Sequence, residues 1–258
     1  MQDTGVSASI VVYGGWQEAA AAANSVLEHT AARPFTLYLI DNASPDDSAR
    51  QLPGAVRDER AQLLCLPQNK GFGGGHNAVL GRLSSRYHFV LNPDILVNGD
   101  VLGGICGWMD EHPEVVMATP QLFFPDGRLQ HLPRRKPNLM GLLARQLPGG
   151  ALERFNLHYT MQDEDLSQVR DIQFCTGSFF CIRTEVFRQM GGFDEGYFMY
   201  VEDADITQKA LQYGRVCLLP QFKAVHAWHR TPAHRGSHFW MQLKSMGRYF
   251  AKWGFALK

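Results

Sequence analysis

The 258-residue chain lacks the features of a secreted or membrane-spanning protein. No apolar run approaches the ~20 residues that a transmembrane helix needs. The opening stretch, MQDTGVSASIVVYGG, has no basic region followed by a long apolar region, so no secretory signal is visible. The five cysteines form no C-x-x-C pair, which favours reduced thiols over a disulfide framework or a thiolate metal site. We therefore expect a cytoplasmic protein.

Acidic residues are missing from the last fifth of the chain. No Asp or Glu follows Asp205, although the formal net charge of the whole chain is zero. The same stretch is rich in Lys and Arg, and aromatic residues interleave with them near the end. This asymmetry predicts an anionic partner, which could be a phosphorylated ligand, a membrane surface or nucleic acid. We expect no nucleic acid, because no recognition motif accompanies the charge.

Short β-branched segments alternate with helical segments over the first hundred residues. SASIVVY, FTLYLIDNAS, AQLLCLPQN and YHFVLNPDILV read as strands, and the segments between them read as helices. Such alternation predicts an α/β fold with parallel strands, whose ligands bind beyond the carboxyl ends of the strands. The polar residues expected at those ends are Asp41, Asn42, Asn69, Asn92 and Asp94.

The glycine-rich segment NKGFGGGHN, residues 69–77, matches neither common phosphate-binding motif. His76 stands where a dinucleotide fingerprint needs its third glycine, and no Gly-Lys-Ser/Thr is present. We expect a loop entering a helix, with glycines that let backbone N–H groups approach a ligand closely. The alternative is a flexible turn.

Three groups of acids and histidines could carry chemistry. In NPD, Asp94 is either a turn residue or a ligand for a hard divalent cation bound to a diphosphate. The acids of VEDAD, residues 201–205, either compensate a helix dipole, by roughly 0.3–1 kcal/mol each, or include a general base. His226 and His229 follow an apolar strand, and imidazole beside carboxylates would favour Mn²⁺ over Mg²⁺.

The proline-rich stretch 125–150 interrupts the regular pattern. It predicts either a loosely packed surface insertion or a flap over a site or against lipid. The C-terminal segment SHFWMQLKSMGRYFAKW predicts a basic aromatic helix. That helix would pack on the core through its aromatics, lie on anionic lipid, or do both.

Taken together and in order, these segments resemble a family 2 glycosyltransferase with the GT-A fold, of the bacterial rhamnosyltransferase-like subgroup. The resemblance rests on LYLIDNASPDDS, NKGFGGGHNAVL, FVLNPDILV and GGFDEGYFMYVEDADITQKAL, and it covers nearly the whole chain. It implies a Rossmann-like, mostly parallel central sheet flanked by helices. The glycosyltransferase domain would cover residues 1–230, with a nucleotide-sugar half (1–98) and an acceptor and catalytic half (99–230). A basic aromatic helical tail would cover residues 231–258.

The resemblance also implies an activity. The enzyme would be inverting and metal-dependent, with Mn²⁺ or Mg²⁺ as cofactor. It would move a sugar, rhamnose by subgroup, from a nucleotide-diphosphate donor to a hydroxyl of a glycan or lipid-linked acceptor. The context would be cell-surface polysaccharide synthesis. The tail helix would contact the inner face of the plasma membrane peripherally.

Site residues follow from the same resemblance. Asp203 would be the general base, with Glu202 in support. Asp94 and His226 would hold the metal, with His229 as second candidate, and Asn92 stands where the family's DxD motif has its first acid. Gly177, Ser178 and Asp205 would border the acceptor. The residues implied to hold the nucleotide sugar are Tyr13, Asp41, Asn42, Asn69, Gly71, Phe72, Asn77 and Asn92.

Three alternatives remain at this level. A non-catalytic nucleotide-sugar binding module would explain Asp41 and Asp94 but would leave VEDAD without a role. A sugar-nucleotide pyrophosphorylase would need a basic glycine-rich loop after the first strand, where this chain has YGGWQEAA. A transferase of another hexose would share every feature above.

Overall fold

A computed structural model describes residues 5–30, 34–138, 153–227 and 235–255, with side chains of the last segment described from residue 240. The described strands form one nine-stranded sheet, in the order β3-β2-β1-β4-β8-β6-β9-β5, with β7 paired to β9. The strands are β1 (Val6–Val12), β2 (Phe35–Asp41), β3 (Ala61–Cys65), β4 (Tyr87–Leu91), β5 (Ile95–Leu96), β6 (Val115–Phe123), β7 (Arg170–Asp171), β8 (Phe179–Arg183) and β9 (Arg215–His226).

Helices cover the sheet and connect its strands. A 3₁₀ turn at Leu80–Arg82 follows the third of them. The helices are α1 (Trp16–His29), α2 (Ser48–Ala55), α3 (Gly71–Asn77), α4 (Val101–Glu111), α5 (Glu153–Tyr159), α6 (Thr184–Gln189), α7 (Glu202–Ala210) and α8 (Arg235–Trp253).

The four strands of the N-terminal half run parallel, as the alternating pattern predicts. β1 pairs with β2 and β4, and β2 pairs with β3. Val12 lies opposite Asp41, which in turn lies opposite Cys65, so the strands end together. The carboxyl ends of these strands therefore form one edge, where the polar residues were expected.

In the C-terminal half the sheet is mixed. β8 runs antiparallel to both β4 and β6, while β9 runs parallel to β6. Phe179, the first residue of β8, lies opposite Leu91 at the end of β4, so β8 begins at the carboxyl edge and runs back through the sheet. The α/β expectation is confirmed, and the parallel arrangement holds for β1 to β4. This reversal brings Gly177 and Ser178, directly before β8, to the same edge as the ends of β1 to β4.

Alternating side chains of the central strands enter two separate cores. Ala8, Ile10 and Val12 of β1 face one core, which α1 and α4 cover, whereas Val11 faces the other. Because both faces are covered, the strands read as continuous apolar runs rather than alternating ones. Full burial of one such Ile or Val side chain contributes roughly 1.5–3 kcal/mol.

A third apolar cluster holds α8 against the rest of the molecule. Tyr249 and Phe250 of α8 are buried against Tyr159, Phe174 and Tyr197. The expected basic aromatic helix is present, and its Tyr249 and Phe250 pack on the core, whereas Trp240 is exposed. Across the described ranges, no helix has both the length and the apolarity to cross a bilayer.

A buried polar network lies between β1 and β4. Ser7 Oγ is 2.8 Å from His88 Nδ1, and Ser9 Oγ is 2.9 Å from His88 Nε2. Ser9 Oγ is also 2.7 Å from Nδ1 of His76, a second fully buried histidine. Burial lowers the pKa of His88 to about 3 and that of His76 well below its usual value. Both rings are therefore neutral in the folded protein.

We predict that this network makes the fold acid-labile. A histidine titrates near 6.5 in an unfolded chain. Below that pH, His88 binds a proton in the unfolded state but stays neutral in the folded state. Stability is present above pH 6.5 and is lost as the pH falls toward 3. Between pH 7 and 5 the loss from His88 alone is about 2 kcal/mol. Urea unfolding of the wild type and of His88→Gln at both pH values measures it.

Two results decide this prediction. The fall in unfolding free energy between pH 7 and 5 should be smaller by about 2 kcal/mol in His88→Gln than in wild type. His131→Gln, at an exposed position, serves as the control and should keep the wild-type fall. An equal fall in wild type and His88→Gln would refute the assignment.

Candidate active site

A cavity of about 470 Å³ opens at the carboxyl edge of the sheet, between the ends of β4 and β8 and the helices α7 and α8. Its size lies within the range of small-molecule sites. It brings together residues that lie far apart in the sequence. The predicted site residues in its wall are Phe72, Asn92, Gly177, Ser178, Glu202 and Asp203.

The acidic pair enters the cavity from a strained turn. Tyr200 and Val201 have φ angles of 70° and 69°, in the left-handed region. A β-branched residue rarely adopts this conformation, and such strain costs of order 1–3 kcal/mol. The turn starts α7 so that Glu202 and Asp203 both line the cavity. Asp203 Oδ2 accepts a hydrogen bond from the Gly177 N–H at 3.3 Å, which fixes its orientation.

Burial raises the pKa of both acids, Glu202 and Asp203, but their neighbours differ. Burial and the adjacent Asp203 raise the pKa of Glu202 to about 8, so this side chain holds a proton at pH 7. Burial also raises the pKa of Asp203, but the Arg134 guanidinium opposes the shift. Oε2 of Glu202 is buried and has no hydrogen-bond partner among the described residues. Arg134 and the backbone N–H donors of Gly177 and Ala204 therefore favour the negative charge on Asp203, whereas burial disfavours one on Glu202.

A carboxylate and an imidazole meet next to the cavity. Asp94 Oδ1 is 3.3 Å from His226 Nε2, and Asn92 Nδ2 is 3.3 Å from the same nitrogen. The antiparallel pairing of β5 with β9, which places Ile95 opposite His226, brings these distant residues together.

Gln130 determines the tautomer of His226. Gln130 Nε2 donates to the His226 carbonyl at 2.7 Å, so its Oε1 accepts from His226 Nδ1 at 2.9 Å. Nε2 of His226 then keeps its lone pair on the side of Asp94. This donor set fits a divalent cation, because an imidazole held by a second hydrogen bond and a carboxylate are common ligands. Among the described residues no group of three or more His, Cys, Asp or Glu side chains could hold a metal.

The edge formed by β1 and β2 has a buried acceptor without a partner. Asp41 is 4% exposed, and its Oδ1 has no hydrogen-bond partner within the described part of the chain. Its Oδ2 accepts weakly from the Ser44 N–H at 3.4 Å. Tyr13, at the end of β1, is 56% exposed. A buried carboxylate oxygen of this kind can accept a hydrogen bond from a ligand.

The expectation of a glycine-rich loop is wrong, because residues 71–77 are themselves the helix α3. A Cβ at Gly71 would lie 2.0 Å from the Phe198 carbonyl oxygen, and one at Gly73 would lie 2.7 Å from Phe193 Cβ. Gly71 also has φ 73°. The glycines permit close packing between α3 and residues 193–198, rather than a close approach of backbone to ligand.

Three asparagines predicted to hold the nucleotide sugar form hydrogen bonds within the protein. Asn42 Nδ2 donates to Asn69 Oδ1 at 3.0 Å, and Asn42 Oδ1 accepts from the Lys70 N–H at 2.9 Å. Asn77 Oδ1 accepts from the Phe193 N–H at 2.9 Å. Their amide groups hold the ends of α3 in place, so they shape the edge without lining the cavity.

Asp205, expected to border the acceptor, is not among the residues that line this cavity. The side chain is fully buried and accepts from Lys252 Nζ at 2.9 Å and Trp253 Nε1 at 2.7 Å. Asp194 accepts three hydrogen bonds from Arg248 in the same way. These contacts hold α8 on the core, which gives Asp205 a structural role.

Sequence reasoning missed the residues that α5 and α8 bring to the cavity. Only tertiary packing brings these two helices to the cavity, and no sequence motif identifies their residues. The aromatic run RYF in the tail was the one usable signal. The second metal candidate, His229, lies outside the described residues, as do residues 139–150 of the stretch 125–150. The unpredicted residues of the wall include Arg134, Tyr159, Phe174, Gln242, Tyr249 and Phe250.

The mixed sheet and the carboxylates at its carboxyl edge define a glycosyltransferase of the GT-A class. Residues 7–191 match the family model described as Glycosyl transferase family 2. The chain belongs to this family, and the family expected from the sequence is confirmed. The alternative of a non-catalytic nucleotide-sugar binding module is therefore not favoured.

Two curated relatives are rhamnosyltransferases. One is N-acetylglucosaminyl-diphospho-decaprenol L-rhamnosyltransferase of Mycobacterium tuberculosis, 26% identical, with 83% of this chain and 73% of the relative covered. The other is rhamnosyltransferase WbbL of Escherichia coli, 28% identical, with 83% and 87% covered.

Solved structures share the fold at low identity. GalNAc-T7 with UDP, GalNAc and Mn²⁺ has a TM-score of 0.69 and 16% identity, over 97% of this chain and 49% of that one. Mannosyltransferase PcManGT from Pyrobaculum calidifontis, with GDP-Man and Mn²⁺, has a TM-score of 0.62 and 16% identity, over 96% and 63%. The chain thus spans about half of the GalNAc-T7 chain, and these likenesses bear on the fold alone.

Proposed function

We propose that this glycosyltransferase is an inverting, metal-dependent rhamnosyltransferase. It moves rhamnose from a nucleotide-diphosphate donor to a hydroxyl of a glycan or lipid-linked acceptor in cell-surface polysaccharide synthesis. The observation that carries the mechanism is the Asp203 side chain in the cavity wall, oriented by the Gly177 N–H. Both curated relatives are named as rhamnosyltransferases, which supports the sugar.

Asp203 acts as the general base. Its pKa is raised by burial, and a raised pKa makes a carboxylate a stronger acceptor for the proton of an acceptor hydroxyl. As the proton leaves, that oxygen attacks the anomeric carbon from the face opposite the nucleotide, so one displacement inverts the configuration. Glu202 keeps its own proton, which prevents a second negative charge beside the base.

The donor lies along the carboxyl edge of β1 to β4. Asp41 Oδ1 accepts from the base or ribose, and exposed Tyr13 covers the base. Asn92 and Phe72, which line the cavity, contact the donor sugar, and Gly177 with Ser178 border the acceptor. Gly71 and the three asparagines contribute by holding α3 in place, as their contacts within the protein indicate.

Asp94 and His226 would hold Mn²⁺ or Mg²⁺, with diphosphate oxygens of the donor completing the ligands. When bound, the cation supplies a positive charge that stabilises the negative charge on the departing diphosphate. Gln130 holds His226 in the tautomer that can bind it. The missing first acid of the DxD motif, at Asn92, makes the contribution of His226 necessary in this scheme.

We further propose that α8 contacts anionic lipid with the face opposite the cavity. Trp240, Leu243 and Lys244 are exposed on one side of the helix, and Phe255 is 73% exposed just beyond it. Apolar and basic groups on one face favour an interfacial position. In this proposal the glycosyltransferase domain covers residues 1–230, and the tail of residues 231–258 adds both the lipid contact and part of the cavity wall.

Asp203→Asn tests the base. The amide keeps the shape but cannot take the proton, so transfer from thymidine-diphosphate rhamnose should fall about 100- to 10,000-fold. Donor affinity by calorimetry should stay within about twofold, because no donor contact is lost. Asp126→Asn, at an exposed hairpin, is the matched control and should keep full activity. Near-normal turnover in Asp203→Asn would remove the base assignment.

Asp94→Asn tests the metal site. Wild-type transfer should stop with a chelator and return with Mn²⁺ or Mg²⁺. The variant should need at least about 10- to 100-fold more metal for half-maximal transfer, and His226→Gln should behave alike. Calorimetric titration of Mn²⁺ into protein with thymidine diphosphate gives the same comparison without turnover. If Asp94→Asn needs the same metal concentration as wild type for half-maximal transfer, the NPD segment is only a turn.

Flotation with vesicles tests the membrane contact. Wild type should float with phosphatidylglycerol vesicles and much less with phosphatidylcholine vesicles. Replacing Trp240 and Phe255 together with Ala should weaken flotation by at least about tenfold, since two aromatic groups leave the interface. Leu96→Ala, exposed on β5, should float like wild type. Equal flotation of the double variant would disprove the contact.

A further inference from the structure

Three consecutive basic residues, Arg134 to Lys136, differ in what they contact. Arg135 forms ion pairs with Asp163 and Glu164. Lys136 Nζ donates to the Trp253 carbonyl at 3.2 Å. Arg134 lines the cavity, and its side chain has neither a hydrogen bond nor an ion pair among the described residues. Of the three, Arg134 is the one whose charge faces the space for a ligand.

Arg134 is held where it is by backbone and aromatic contacts. Its N–H donates to the Phe174 carbonyl at 3.3 Å, and its carbonyl accepts from the Gln173 N–H at 3.3 Å. Its Cζ lies 5.1 Å from the Phe174 ring centroid and 5.9 Å from that of Tyr159. These rings fix the guanidinium plane without neutralising its charge, because cation–π contacts leave the N–H donors unpaired.

A buried donor without a partner is costly, and Nε of Arg134 is buried in this way. Such a group in a native protein needs an explanation, and a bound ligand, ion or water that accepts its hydrogen bond is one. Asp203 influences Arg134 electrostatically but does not form an ion pair with it. The ligand that completes this site therefore carries an acceptor group, and a phosphate suits the fork of guanidinium donors best.

The rest of the wall indicates which substrate carries that anion. The donor diphosphate is assigned to Asp94 and His226, and neither lines the cavity. Arg134 instead shares its part of the wall with aromatic residues from α5 and α8. Such walls suit the apolar face of a sugar ring and the first carbons of a lipid chain. The anion at Arg134 thus belongs to the acceptor, whose hydroxyl reaches Asp203.

We propose that Arg134 binds the phosphate of a glycosyl-phosphate or glycosyl-diphosphate acceptor and so selects anionic acceptors over neutral ones with the same sugar. The proposal rests on the proposed function, because it takes Asp203 as the base and the cavity as the acceptor site. Arg134 is a specificity-determining residue in this scheme, and no group of it reacts.

Two acceptor probes that differ only in the diphosphate measure the contribution of the phosphate to binding and transfer. One is N-acetylglucosamine linked through a diphosphate to a decyl chain, and the other is the neutral decyl N-acetylglucosaminide. Binding of each is measured by calorimetry, and rhamnose transfer to each is measured in parallel. Wild type should prefer the diphosphate probe by about 10- to 100-fold, the effect of a charge-assisted hydrogen bond.

The variants give the sharper comparison. Arg134→Gln should reduce the preference to less than about threefold, and Arg134→Lys should restore part of it, since Lys keeps the charge without the fork. Arg128→Gln, in an exposed ion pair of the same hairpin region, should keep the full preference. Loss of Arg134 also changes the charge near Asp203, but that effect is common to both probes and cancels in their ratio.

Each contrary result has a distinct meaning. An undiminished preference in Arg134→Gln, no preference in wild type, or binding of neither probe overturns the proposal. So does a loss of thymidine-diphosphate rhamnose affinity in Arg134→Gln, because the guanidinium would then serve the donor. If wild type neither binds nor turns over that donor, the proposed function itself fails. Intact donor turnover with no effect of Arg134 removes this inference alone.

Discussion

The close contact between α3 and the segment before α7 is the constraint on which the site depends. The Phe72 N–H donates to the Phe198 carbonyl at 3.2 Å, which is only reachable because Gly71 has no Cβ. Asn77 holds the other end of α3 to Phe193. The contact joins the donor edge of β1 to β4 to the chain that starts α7. It also fixes residue 198, two residues before the strained pair Tyr200 and Val201, so the strain cannot relax by moving that segment away.

The strain and the burial together explain how two adjacent acids share one site. An α-helical N-terminus favours carboxylates, yet burial disfavours their charge, and the two effects oppose each other here. Glu202 resolves the conflict by keeping its proton, while Asp203 receives N–H donors from Gly177 and Ala204 that stabilise its charge. The dipole explanation alone would leave both acids ionised. Three clustered acids in VEDAD therefore have three different tasks, since Asp205 holds α8.

The sequence predicted the parts of this molecule that local pattern controls. Buried runs such as SASIVVY gave the parallel strands, and strand ends gave Asp41, Asn92 and Asp94. It could not show that Asn77 bonds to Phe193, because an amide has the same pattern whether its partner is a ligand or a backbone 116 residues away. The glycines of α3 misled for a related reason, since close packing and close ligand approach both require the absence of a Cβ. Arg134 and its aromatic neighbours depend on tertiary packing alone.

The position of α8 links the proposed lipid contact to the cavity. Asp194 and Asp205 engage Arg248 and Lys252, so these basic groups hold the helix on the protein instead of being free for lipid. Met246, Tyr249 and Phe250 of the same helix form a wall of the cavity. A helix with one face on lipid and the other in the acceptor site would receive an amphipathic acceptor directly from the bilayer. Its lipid chain would follow the aromatic wall, and its sugar would reach Asp203. The ion pairs of Arg248 and Lys252 thus hold α8 where its aromatic residues line the cavity beside Glu202 and Asp203.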